Sequence, residues 1–153
     1  MNFNNNFFKK EIREGFEVSS MMKRAWAAQM EVFQIVADIC EKNGIRYFAD
    51  WGTLLGAVRH KGMIPWDDDI DISLMRDEYN QLIKILPEQL PHGFVIAGMY
   101  ADSKRLQDAA FVPQLRVIAD ETLWDFNDYM KFFHGFPYQK VENAPVKNMY
   151  RII

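Results

Sequence analysis

The sequence predicts an α+β (α/β) domain in which helices pack mainly on one side of a small mixed sheet. Three observations predict this class. Apolar residues recur at three- and four-residue spacing between positions 22 and 40, acids alternate with apolar residues between positions 69 and 74, and short apolar runs lie between turn-forming residues. A length of 153 residues is that of one ordinary domain.

Composition narrows the possible functions. With 49% apolar and 25% charged residues the chain is globular, and a net charge of −3 gives no general attraction for nucleic acid, so no nucleic-acid partner is expected. The lone Cys40 excludes an internal disulfide framework and a cysteine-built zinc site within one chain. No signal peptide and no membrane span are apparent, so we expect a cytoplasmic protein.

The first elements are an arm and a long helix. Residues 1–18 predict an N-terminal arm that is frayed or forms a short helix. The long helix begins after the possible N-caps Ser19 and Ser20 and ends at Gly44. Its apolar stripe is expected to face the core and consists of Met22, Trp26, Met30, Phe33, Val36, Ala37 and Cys40.

A strand, a brief helix and a second strand follow. Residues 45–50 are rich in β-branched and aromatic side chains and predict a strand. Residues 54–60 predict a brief helix that Gly62 ends. Residues 69–74 alternate acidic or hydroxyl side chains with apolar ones, which predicts a strand with one acidic face.

The later elements are a helix and two strands. Helical spacing returns over residues 76–86, and Pro87 is expected to end that helix. Residues 94–97 and 113–119 predict two further strands. Residues 120–133 mix aromatic and charged side chains without one dominant period.

The acidic strand carries the clearest chemical signal. Asp69 and Asp71 are two apart on a strand, so their carboxylates point to the same side with Cα atoms about 6.5–7 Å apart. Such a pair suits Mg²⁺ or Mn²⁺, which take oxygen ligands and substrate phosphates. Without a cation the two carboxylates repel each other. The same alternation places Asp68 on the opposite face.

Other interpretations of this run stay open on spacing alone. An acidic run is often a solvated turn, although the interleaved isoleucines disfavour a featureless charged loop. Asp67 or Asp68 could cap a helix, but no strong helix follows directly. A calcium-binding loop fits the acid spacing, yet Ile72 stands where its sharp turn needs glycine.

A glycine turn and a basic cluster precede the acids. Gly52 and Thr53 would follow a strand and precede a helix, where backbone N–H groups and a hydroxyl can hold a phosphate. Arg59, His60 and Lys61 could contact the same phosphate. An ordinary strand-to-helix turn and solvated cations explain these residues equally well.

Together these segments resemble a known family. Residues 50–62 (DWGTLLGAVRHKG) and 64–72 (IPWDDDIDI) closely resemble the signature of the LicD family in the nucleotidyltransferase-fold superfamily. The superfamily pattern is a glycine followed by Ser or Thr, then Asp-apolar-Asp on the next strand. The resemblance covers roughly residues 37–138 and implies a nucleotidyltransferase-like domain over residues 19–138.

The resemblance implies a function and assigns residues to it. The expected reaction transfers phosphocholine or a related phosphate group from a CDP-linked donor to a sugar or glycan acceptor in lipopolysaccharide, teichoic acid or capsule assembly. Asp69 and Asp71 would be catalytic and would hold Mg²⁺ or Mn²⁺. The implied substrate-binding residues are Gly52, Thr53, Arg59, His60, Lys61 and Asp67.

One part of the family pattern is missing. The family carries a third carboxylate in a later Ile-Asp-Ile-Phe-Pro segment, whereas residues 139–153 read QKVENAPVKNMYRII and form a divergent tail. A truncated or frame-shifted product, or a divergent minimal form, is therefore expected, with Asp120, Asp125 and Asp128 as candidate substitutes for the third carboxylate. The alternative functions are an inactive remnant that binds nucleotide or metal weakly, and an interaction module. The sequence does not fix the oligomeric state.

Overall fold

The computed structural model describes residues 3–98, 100–101, 107 and 115–119. The α+β class is confirmed in this part of the chain. The helices are α1 (Ser20–Lys42), α2 (Trp51–Leu55), which continues as a π-helical turn (Gly56–His60), and α3 (Arg76–Gln89). The strands are β1 (Glu11–Arg13), β2 (Phe16–Val18), β3 (Phe48–Ala49), β4 (Ile72–Ser73), β5 (Phe94–Ala97) and β6 (Arg116–Ala119).

The described strands form three antiparallel pairs. β1 pairs with β2, β3 with β4, and β5 with β6. Helix α1 packs against α3 and β6, and α3 also contacts β5. The shared core consists of Val32, Val36, Ile39, Cys40, Ile45, Ile70, Leu82, Leu86, Ile96 and Val117. The expected mixed sheet is thus divided, in these residues, into short antiparallel ladders around two helices.

The N-terminal prediction of a frayed arm or short helix is wrong for residues 11–18, which form a β-hairpin. Its turn residues Glu14 and Gly15 have φ angles of 50° and 81°. Such left-handed conformations suit a tight hairpin turn. The Lys23 ammonium of α1 lies 3.1 Å from the Glu11 carboxylate, and the side chain of Val18 is fully buried. The hairpin therefore packs against α1, while the domain boundary at residue 18 stays a prediction.

Helix α1 confirms the strongest helical pattern. The Ser19 hydroxyl accepts a hydrogen bond from the Met22 amide at 3.1 Å, which caps the helix N-terminus. Gly44, with a φ of 66°, follows the C-cap, where glycine adopts this conformation without steric cost. Burial raises the pKa of the Cys40 thiol to about 11, as expected of a structural cysteine in the core.

The predicted end of α3 is wrong. The helix continues past Pro87 to Gln89, and the Leu90 amide donates to the Leu86 carbonyl at 2.9 Å. A proline this close to the C-terminus removes one helical hydrogen bond, but the last turn still closes. Leu82 and Leu86 are fully buried, so core packing holds the turn that contains the proline.

The segment after β3 also differs from its prediction. The helix begins at Trp51, not at residue 54, because the Asp50 carboxylate accepts a hydrogen bond from the Trp51 amide at 2.9 Å and caps it. Gly52 and Thr53 therefore lie inside α2 and not in a turn before it. The π-helical turn ends at Lys61, which has a left-handed φ of 56°.

Several predictions lie outside the described residues. These are the strand residues 113–114, the segment 120–133, residues 134–138, the candidate acids Asp120, Asp125 and Asp128, and the tail 139–153. Within the described ranges, no helix is both long enough and apolar enough to cross a membrane.

Candidate active site

Asp69 and Asp71 line one cavity of about 850 Å³. Ile70 between them is only 4% exposed and belongs to the core. The acids therefore share one face and the isoleucine takes the other, as the period of two predicts. The cavity wall continues through β4 and the first turn of α3.

The pKa of Asp69 includes the expected repulsion from Asp71. The pKa of Asp69 rises from its ordinary value of 3.8 to about 6, first because of burial and then because of the negative charges of Asp71, Asp67 and Asp68. A divalent cation would relieve this excess negative charge. The donor set of carboxylate oxygens also fits Mg²⁺ or Mn²⁺ by its chemistry.

Asp68 lies closer to Asp69 than the sequence predicts, and Asp67 lies beside both. One carboxylate oxygen from each of the three acids lies within 4.8 Å of the others. The prediction that Asp68 faces away from Asp69 is wrong, because β4 contains only Ile72–Ser73 and strand alternation does not extend back to residue 68. The three acids form an acidic cluster (residues 67–69), and Asp69 is the member of this cluster that lines the cavity.

Helix α1 anchors the backbone of the acidic cluster. The indole N–H of Trp26 donates to the Asp67 carbonyl at 2.8 Å, and the side-chain amide of Gln29 donates to the Asp68 carbonyl. Both side chains are only 1% exposed. Sequence reasoning assigned Trp26 to the core and missed Gln29. The sequence signal that could have identified Gln29 was a polar side chain one helical turn after Trp26, on the face of α1 that was expected to be buried.

Gly52 and Thr53 contact the acidic segment directly. The Thr53 hydroxyl oxygen accepts a hydrogen bond from the Asp71 amide at 2.7 Å and still carries a proton to donate. The Asp67 carboxylate lies against Gly52, in the space that a Cβ atom would fill. These contacts join α2 to the acids. Phosphate binding by either residue stays a prediction.

The basic cluster lies elsewhere. None of Arg59, His60 and Lys61 belongs to the cavity wall formed by the described residues. The His60 ring, 3% exposed, lies 3.2 Å from the Glu14 carboxylate of the hairpin turn, and the Arg59 guanidinium donates to the other ring nitrogen at 3.3 Å. The Lys61 ammonium donates to the Val58 carbonyl at 3.0 Å. Their predicted phosphate contacts therefore stay predictions.

Two aromatic residues and an arginine, missed by the sequence analysis, line the cavity. Arg76 is the only cationic residue of its described wall, and its guanidinium carbon lies 5.3 Å from the centre of the Tyr79 ring. Burial and a hydrogen bond with Tyr100 raise the pKa of Tyr79 to about 12. The signal for Arg76 was its place as the first cation after the acidic strand.

Trp51 lies at the cavity rim in an unusual conformation. Its φ is 44°, which is rare for a bulky residue, and its side chain is 79% exposed. The Asp50 carboxylate accepts hydrogen bonds from the Ser73 hydroxyl and from the Trp51 amide, and these bonds lower the pKa of Asp50. The cap at Asp50 therefore ties the first residue of α2 to β4.

Comparison with known proteins adds independent information. The family described as "LicD/FKTN/FKRP, nucleotidyltransferase domain" matches residues 44–148. The match includes α2, the acidic cluster, β4 and α3. No solved structure matches the chain.

Three curated relatives show the range of similarity. An uncharacterised protein of Rickettsia prowazekii is 42% identical over 71 residues, which cover 44% of this chain and 27% of the relative. The lipopolysaccharide cholinephosphotransferase LicD of Haemophilus influenzae is 53% identical over 47 residues, 31% of this chain and 18% of the relative. The mouse ribitol 5-phosphate transferase FKRP is 39% identical over 51 residues, 33% and 10% respectively. The matches thus span at most about a quarter of each relative.

Proposed function

The chain belongs to the LicD/FKTN/FKRP family of nucleotidyltransferase domains, and from this membership we propose that it is a metal-dependent transferase. It moves phosphocholine or a related phosphate group from a CDP-linked donor to a sugar of a cell-surface glycan such as lipopolysaccharide or teichoic acid. The relatives named as cholinephosphotransferase and ribitol 5-phosphate transferase support this substrate class. The observation that carries the proposal is the pair Asp69 and Asp71 on the wall of one cavity.

The acids provide a fitting cation site. Asp69 and Asp71 would hold Mg²⁺ or Mn²⁺, with Asp67 and Asp68 adding negative charge beside them. When bound, the cation would neutralise charge on the donor diphosphate. The chain itself holds the backbone of the acidic segment through two contacts, since the Thr53 hydroxyl binds the Asp71 amide and the Trp26 indole binds the Asp67 carbonyl. Such prior ordering lowers the cost of reaching a reactive geometry.

The proposed reaction is a single displacement at phosphorus. The acceptor hydroxyl oxygen forms a bond to the donor phosphorus that carries choline or the polyol. The bond between that phosphorus and the bridging oxygen breaks, so cytidine monophosphate leaves and the hydroxyl proton is released. The described residues contribute binding and charge compensation to this step, which is the main protein contribution to phosphoryl transfer.

A second candidate is binding of the donor without turnover. The observation in its favour is that Asp69 and Asp71 are the only carboxylates of the cavity wall within the described part of the chain. A base for the acceptor hydroxyl is therefore not identified among these residues. Donor binding and donor cleavage must be measured separately to distinguish the two candidates.

The test measures release of cytidine monophosphate from CDP-choline and from CDP-ribitol, with Mn²⁺ and a panel of sugar acceptors. Wild type is expected to release it and to transfer mass to one acceptor. Asp69→Asn and Asp71→Asn should each lower the rate about a hundredfold or more. Asp77→Asn, an exposed acid of α3 outside the cavity wall, is the matched control.

Each outcome separates the candidates. Metal-dependent release that depends on Asp69 and Asp71 supports the transferase. Binding of CDP-choline with no release for any acceptor supports the second candidate. Release that is equal in wild type and in both variants contradicts the proposed site.

A further inference from the structure

The cavity has a cation that neither the sequence motif nor the family signature pointed to. Within the described residues of the wall, Arg76 alone is positively charged, and Asp69 and Asp71 belong to the same wall. Building on the proposed function, we propose that Arg76 binds the phosphate groups of the CDP-linked donor. The acids would then serve the metal, and the arginine would contact the diphosphate directly.

The other candidate cations have different neighbours. His60 pairs with Glu14 of the hairpin, Arg59 donates to His60, and Lys61 donates to a backbone carbonyl. Among the described residues of the cavity wall, Arg76 is therefore the cation that a phosphate in the cavity would contact. This argument reassigns phosphate recognition from the cluster that precedes the acids to the helix that follows them.

The surroundings of Arg76 suit a ligand and not an internal ion pair. Its guanidinium lies over the ring of Tyr79, and Tyr79 packs edge-on against Tyr100 with ring centres 6.1 Å apart. No acid of the described residues forms an ion pair with it, in contrast to Arg46, which binds Glu78 at 2.5 Å. Stacking uses the face of a guanidinium and leaves its in-plane N–H groups for the paired oxygens of a phosphate.

The position of Arg76 in the helix does not favour a positive charge. It is the first residue of α3, where the helix dipole disfavours a positive charge, and it is exposed. The helix dipole therefore gives no reason for an arginine here, although the contact with the Tyr79 ring contributes some stability. A role in ligand binding gives one, because an anion in the cavity would offset that electrostatic cost.

The experiment uses Arg76→Gln in the full chain with three measurements. Mn²⁺ binding is followed by electron paramagnetic resonance, binding of CDP and of pyrophosphate at saturating Mn²⁺ by calorimetry, and stability by thermal denaturation. Mn²⁺ affinity should stay within about twofold of wild type, while affinity for both phosphate probes should fall about tenfold or more. The Tm should change little, because the loss of the Tyr79 contact and the relief of the unfavourable helix-dipole interaction oppose each other.

Two further variants sharpen the result. Arg76→Lys keeps the charge but not the paired donors, so it should recover only part of the affinity. Arg46→Gln removes an exposed arginine outside the cavity wall and should leave the affinities for Mn²⁺, CDP and pyrophosphate unchanged. This variant controls for the loss of one positive charge from the protein.

Three results would overturn the inference. In the first, Arg76→Gln binds CDP and pyrophosphate as wild type does. In the second, the variant loses Mn²⁺ affinity to the same extent, which indicates a general disturbance of the site. In the third, wild type itself binds neither phosphate probe with Mn²⁺. Only the third also contradicts the proposed function, so the two failures are distinguishable.

Discussion

The hydroxyl oxygen of Thr53 accepts a hydrogen bond from the backbone amide of Asp71, with 2.7 Å between oxygen and nitrogen. On the other side of the same residue, the Asp71 carbonyl accepts a hydrogen bond from the Asp50 amide at 3.2 Å. Both backbone polar groups of Asp71 are therefore held by the segment that contains β3 and α2. Thr53, together with Asp50, thus fixes the backbone of an acid that lies eighteen residues after the threonine in the sequence.

Replacing Thr53 tests this link. Thr53→Val keeps the shape of the side chain but removes the acceptor of this partly buried hydrogen bond from the Asp71 amide. We expect a loss of about 1–3 kcal/mol in the free energy of unfolding, measured by urea denaturation. Thr53→Ser keeps the hydroxyl and should lose much less. Equal stability of the valine and serine variants would show that the hydrogen bond contributes nothing.

A substitution at Gly52 tests how closely the Asp67 carboxylate of the acidic cluster packs against α2. In Gly52→Ala the new methyl group would occupy the space of the Asp67 carboxylate, so that carboxylate must move. Mn²⁺ affinity, measured by electron paramagnetic resonance, should fall about tenfold, the size of effect usual for residues that orient ligands. Gly62→Ala is the control, since nothing lies within 4 Å of a Cβ there. Equal Mn²⁺ affinity of the two variants would show that the contact between Gly52 and the Asp67 carboxylate does not affect metal binding.

The raised pKa of Asp69 predicts a pH-dependent stability. Its pKa in the folded protein, about 6, lies above its ordinary value of 3.8, so the charged form is disfavoured by folding. The penalty is absent at low pH and develops as the pH rises through that interval. With chelator present, Asp69→Asn should therefore stabilise the protein by about 1 kcal/mol near pH 8, after allowance for solvent screening.

The same variant should show no gain near pH 3, where Asp69 is mostly protonated in both states, so the gain grows between about pH 3 and pH 7. Urea denaturation at a series of pH values measures it. A gain that is constant with pH would assign the effect to packing and not to the charge of Asp69.

A substitution at Gln29 tests the hydrogen bond that connects α1 to the backbone of the acidic cluster. Gln29→Met keeps the length of the side chain but removes the donor to the Asp68 carbonyl. We expect a loss of about 1 kcal/mol in the free energy of unfolding, because one partly buried hydrogen bond is lost. The control is Gln34→Met, an exposed position of the same helix that should change stability by less than about 0.5 kcal/mol. Similar losses in both variants would point to helix propensity instead.

Local patterns predicted much of the fold. Apolar spacing and the serine cap placed α1, and the alternation around Ile70 placed Asp69 and Asp71 on one side. Each of these rests on a short stretch of chain with one clear period. Helix α3 was placed correctly at its start, but core burial of Leu86 carried it past Pro87, and such burial is a tertiary effect.

The remaining features depend on contacts between distant segments. Glu14 of the hairpin lies beside the His60 ring, which removes His60 from the cavity wall, and no local pattern links positions that far apart. Arg76 joins the cavity because α3 begins directly beyond β4 and packs across the core from α1. The position of Asp68 was missed because the strand is shorter than its alternating sequence.

The most direct test of the central claim is a calorimetric titration of CDP in the presence of Mn²⁺. It compares wild type with the double variant Asp69→Ala, Asp71→Ala, and circular dichroism verifies that both are folded. We expect wild type to bind CDP only when Mn²⁺ is present, and the double variant to lose that binding. Folded wild type that shows no metal-dependent binding, or a double variant that binds equally well, would contradict a donor site at these two acids.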